Sequence, residues 1–142
     1  MKKYLFAALF FVAGLGAVAD DRAATEADRI IRDFGRLEAL LDQPVPADFD
    51  RWAPNIFRSP YGTTMVGAGP NGRIILIGSG AVFWTSSEAT RFIGLMHDFM
   101  DRSGGQAISD DSYIVRDLVV TIQPYQQHPE GGFVSGVEIQ RW

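Results

Sequence analysis

Two stretches of this chain repeat apolar side chains at three- and four-residue spacing, and each is followed by β-prone runs. That alternation restricts the fold to amphipathic helices laid on a sheet. The first stretch spans 24–42, with Ala27, Ile30, Ile31, Phe34, Leu37 and Leu41 on one face and Arg and Asp on the other. Thr25 and Asp28 read as an N-terminal capping pair, and Gln43 before Pro44 is a natural stop. The second stretch spans 86–102. Thr85 and Glu88 match a capping box, and the stripe is Ala89, Phe92, Ile93, Met96, Phe99 and Met100. Gly104 and Gly105 end it. Each stripe needs an apolar partner surface.

That surface comes from "TTMVGA" and "RIILIG", joined by "GPNG" as a hairpin, and from two later strands at 113–123 and 133–140. Alternation of Leu118, Val120 and Ile122 with Val119, Thr121 and Gln123 makes one sheet face wetter than the other, as do Val137 and Ile139 with Glu138 and Gln140. The expected fold class is therefore α+β: a single domain with an antiparallel sheet of about four strands and two amphipathic helices on one face, in the order α-β-β-α-β-β. Residues 43–62 hold four of the seven prolines together with Phe49, Trp52, Phe57 and Tyr61. They read as a mostly irregular connector, with one helical turn near Asp48.

The first residues have a different use. Lys2 and Lys3 precede an uncharged apolar run over 4–18 that closes on Ala17-Val18-Ala19, the three parts of a signal peptide cleaved before Asp20. As a helix those fifteen residues reach about 22 Å, short of a hydrocarbon core of about 30 Å. Segment 1–19 is thus expected to be a signal peptide and 20–142 the domain, periplasmic or secreted, with no stable membrane insertion after cleavage.

Cysteine is absent, which excludes disulfides, thiol catalysis and thiolate metal sites. Both lysines lie in the leader, so Schiff-base chemistry, Ser-Lys dyads and a P-loop lysine are excluded from the mature chain. Its eleven arginines face 17 acidic residues with the signs interspersed, a net of −6 that disfavours nucleic acid as a partner.

Gly67, Gly69 and Gly72 spell GxGxxG, but a dinucleotide fingerprint needs a helix after the third glycine, and here Arg73 begins a β-prone run. No cofactor is implied. His97, one turn before Asp101, offers an imidazole and a carboxylate, and His128 or Glu130 would supply a third group for a catalytic site. Ser79, Ser86 and Ser87 lie outside any GxSxG elbow. The connector gives a different candidate: Phe49, Trp52, Phe57 and Tyr61, flanked by Arg51 and Arg58, combine the residue types that dominate binding at interfaces. Two functions follow. The favoured one is a non-catalytic binding or accessory module with a protein partner in the bacterial cell envelope; the alternative is a small periplasmic hydrolase or metal-assisted enzyme centred on His97.

Overall fold

The computed structural model describes residues 21–142, so the expected signal peptide 1–19 and its junction before Asp20 lie outside the described residues. Helix α1 (Arg22–Glu38) starts on Asp21, whose carboxylate accepts from the Ala24 N–H. Thr25 therefore lies inside the first turn, its hydroxyl donating to the Asp21 carbonyl. The helix ends at Glu38, about a turn earlier than the periodicity predicts. Leu41 is buried nonetheless, because the chain continues in tight turns up to Asp42, at φ 66°.

Helix α2 (Ser86–Arg102) has the predicted bounds. Thr85 and Glu88 form both halves of the capping box. At the other end Gly104 takes φ 77°, and the Gly105 and Gly104 N–H groups donate to the Met100 and Asp101 carbonyls at 2.9 and 3.2 Å. This is a Schellman closure, which needs the left-handed conformation glycine adopts freely. Among the described residues no helix is long and apolar enough to cross a membrane.

The sheet corrects the sequence expectation. In place of about four strands it has nine among the described residues, all antiparallel, and the protein is strand-rich rather than a small α+β domain. The strands are β1 (Asp50–Ala53), β2 (Ile56–Arg58), β3 (Thr64–Ala68), β4 (Ile74–Phe83), β5 (Gln106–Ala107), β6 (Ser112–Val115), β7 (Leu118–Ile122), β8 (Gln126–Gln127) and β9 (Phe133–Arg141). Their order is β1-β2-β3-β4-β9-β7-β6-β5, with β8 also paired to β9. The last strand thus inserts between two meanders.

Three local causes account for four of the five extra strands, the fifth being β5, a two-residue pairing with β6. The prolines of 43–62 fall outside the strands, so they interrupt no ladder; Pro54 and Asn55, the latter at φ 62°, make the two-residue turn of a β1–β2 hairpin where an irregular connector was expected. The run 113–123 splits because Val115 pairs with Leu118 across Arg116-Asp117, and the positive φ of 56° falls on arginine rather than glycine. Pro124 separates β7 from β8, which both run along β9.

Both helices pack on one face. Their stripes share a single cluster with Val66, Ile77, Phe83, Val120, Ile122, Val137 and Ile139. Phe34 of α1 meets Phe99 of α2 edge-on at 5.5 Å between centroids, and Phe92 lies 5.1 Å from Phe83 of β4. Two arginines fasten α1 to β4 where β3 has ended: Arg22 Nε donates to the Val82 carbonyl and an Arg29 amino group to the Gly80 carbonyl, both at 2.8 Å. These bonds satisfy strand carbonyls that the register leaves beyond Thr64↔Ser79.

The opposite face carries a straight cross-strand row, Arg58, Met65, Gly78, Glu138, Thr121 and Ser112. Its Met65 is buried, as are Val82 and Val134, and none of the three belongs to the helix-side cluster.

Candidate functional site

Between α1 with the turn after it, the two residues before β1 and the β2–β3 turn lies a cleft of about 450 Å³, within the range of small binding sites. Leu37 and Leu40 line it from the helical side, and Phe49, Pro60 and Tyr61 from the strand side. Leu37 belongs to the α1 stripe, whereas Leu40 lies in the turn just beyond the helix and packs only at the margin of the core.

Tyr61 is held by the β2–β3 turn. The Gly62 N–H donates to the Ser59 carbonyl at 2.9 Å, with Pro60 at the second turn position and Tyr61 at the third, a favoured turn sequence. The Ser59 N–H and Thr64 carbonyl close the base of that turn. Tyr61 is left 84% exposed, the most exposed large apolar side chain of the described residues. Phe49, by contrast, packs against the core, so one ring is anchored and the other open to solvent.

Charges ring the cleft unevenly. Arg29 is engaged by Glu26 at 2.7 Å as well as by the Gly80 carbonyl, and Arg36 pairs with Asp33 at 2.9 Å. Asp48 is exposed on the strand side and has no ion pair among the described residues. The charged lining is balanced in number, Asp33 and Asp48 against Arg29 and Arg36, and uneven only in pairing, since both arginines are engaged.

The six binding candidates of the connector are therefore divided. Phe49 and Tyr61 line the cleft, and Phe57 packs against the core. Trp52 is 39% exposed, with the Arg58 guanidinium 4.5 Å from its ring centroid, a cation–π stack. Arg51 is exposed on β1. Sequence reading missed Leu40 and the α1 charges.

The catalytic candidates are placed differently. His97 is half-buried, and its Nδ1 lies 2.5 Å from the Tyr113 hydroxyl rather than on Asp101. Burial pushes the Tyr113 phenol up from its ordinary value, with the Asp101, Asp111 and Asp98 carboxylates adding to the effect. Its O–H stays available to donate to Nδ1. Asp101 is exposed. His128 sits in the β8–β9 loop, where its Nδ1 accepts the Glu130 N–H at 3.1 Å, a local turn contact. Among the described residues no three His, Asp or Glu side chains are grouped to hold a metal.

Gly69 and Gly72 form the β3–β4 turn, with the Gly69 N–H donating to the Arg73 carbonyl. On the helix-free face, Gln123 and Glu138 are buried, and the Gln123 side-chain amide donates to the Glu138 carboxylate. Ser135 Oγ donates to the Gln123 carbonyl at 2.7 Å. The alternation puts Gln123 and Glu138 on the wetter face of the sheet, and both are buried.

No family model matches this chain, and no curated protein or solved structure matches it.

Proposed function

We propose that this is an exported bacterial envelope protein, a non-catalytic binding module that holds a protein partner at the cleft between α1 and the β2–β3 turn. One observation carries the reading: Tyr61, 84% exposed, stands at the mouth of an apolar cleft whose opposite wall is Leu37 and Leu40. Leaving an aromatic ring in water gains nothing for the fold, whereas tyrosine supplies contact area at an interface with few rotatable bonds to freeze. His97 gives the hydrolase alternative less support, since its Nδ1 is engaged by Tyr113 and not by a carboxylate.

Export rests on the leader, and intact-mass measurement of periplasmic material tests it. The expected chain starts at Asp20; a mass that retains 1–19 would replace release with anchoring.

The binding claim is tested with Tyr61→Ala. An exposed side chain of this kind contributes within about 0.5 kcal/mol to stability, so melting should be unchanged, while partner retention on the immobilised protein should fall roughly thirtyfold if Tyr61 is a hot spot. Retention equal to that of the parent protein would remove the cleft as the site. Trp52→Ala serves as the companion variant: retained capture separates the cleft from the Trp52–Arg58 stack.

A further inference from the structure

Resting on the cleft as the partner site, we infer that its occupant is a partner segment carrying a lysine or arginine beside a branched aliphatic or aromatic side chain. The apolar half follows from the walls, Leu37, Leu40, Phe49 and Pro60, which reward burial of a side chain and offer few groups to hydrogen-bond a polar one. The basic half follows from the charges. Arg29 and Arg36 line the cleft but are already engaged by Glu26, the Gly80 carbonyl and Asp33, so an acidic occupant would have to break existing ion pairs. Among the described residues Asp48 has no such pair, and it lies on the strand side next to Phe49. A cation reaching Asp48 while its neighbour fills the cleft satisfies both features, and complementary charge also selects against acidic competitors.

The mature chain has no lysine, and each cleft arginine already has a partner, so the cation must come from outside the cleft itself.

The test is selection from a displayed library of random linear heptapeptides on the purified protein, with Tyr61→Ala and Asp48→Asn in parallel. Asp48 is exposed and has no ion pair among the described residues, so Asp48→Asn should melt like the parent protein. Selected peptides are expected to share a large apolar residue next to Lys or Arg. A representative synthetic peptide should lose at least tenfold in affinity on Tyr61→Ala and about two- to fivefold on Asp48→Asn, the range of an exposed ion pair, and the second loss should shrink at high salt. Peptides that depend on Tyr61 but lack a basic residue, or bind Asp48→Asn equally well, would overturn the basic occupant while leaving the cleft as a site. Absence of any Tyr61-dependent enrichment would overturn both.

Discussion

Phe92→Ala is expected to lower the unfolding free energy by about 3–5 kcal/mol, the cost of deleting a buried ring and leaving its cavity. Phe92 has no solvent exposure, sits mid-stripe on α2, and packs 5.1 Å from Phe83 of β4, so it joins the second helix to the sheet's central strands. Its surroundings have little freedom to collapse: Ala89, Met96 and Phe83 are themselves fully buried. The loss should appear as a melting temperature lower by roughly 10 to 20 °C and a matching shift in the urea midpoint. A variant that melts with the parent protein would mean that the stripe faces elsewhere.

Gly136→Ala should destabilise the sheet for a steric reason. Gly136 of β9 pairs with Gly80 of β4 at the centre of the sheet. A Cβ there would stand 2.4 Å from the Ser79 carbonyl oxygen and 2.7 Å from Gly80 Cα. Both are backbone atoms that no rotamer change can move, so the strands must part. Overpacking of this kind costs about 1–3 kcal/mol. Gly94 is the internal control, since it lies within α2 with open space around the added carbon. Gly94→Ala should raise stability by about 0.5–1 kcal/mol, by helix propensity alone. Chemical denaturation of the two variants should therefore give opposite signs; equal losses would refute the steric reason given for Gly136.

The helices were legible because their signals are local: the α2 bounds follow from the Thr85–Glu88 box and Gly104-Gly105, all within a few residues of the ends they fix. The α1 start was misplaced because Asp21, directly before the helix, is a competing cap. The strand count was not legible for a different reason. A turn at Arg116 carries no glycine to announce it, and prolines at 44, 46, 54 and 60 look like breakers until their places between strands are known. Insertion of β9 between β4 and β7 is a long-range pairing with no local signature at all.

The candidate site was half legible. Aromatic density in 43–62 pointed to Phe49 and Tyr61, but which rings stay exposed depends on the β2–β3 turn and on α1 lying opposite. Gln123 and Glu138 were misread as wet because alternation specifies which face a side chain occupies and not what buries that face. Convergence of His97 with His128 was likewise beyond spacing arguments, and each histidine has a neighbour of its own, Tyr113 and Glu130.

The most direct test of the cleft as a partner site is photo-crosslinking in living cells, with a benzophenone amino acid replacing Tyr61 and, as control, the exposed Ile75 of β4. The expected result is one discrete envelope product from position 61, absent from position 75 and lost when Leu40→Arg fills the cleft with charge. Equal products from both positions, or a product from position 61 that survives Leu40→Arg, would contradict binding at the cleft.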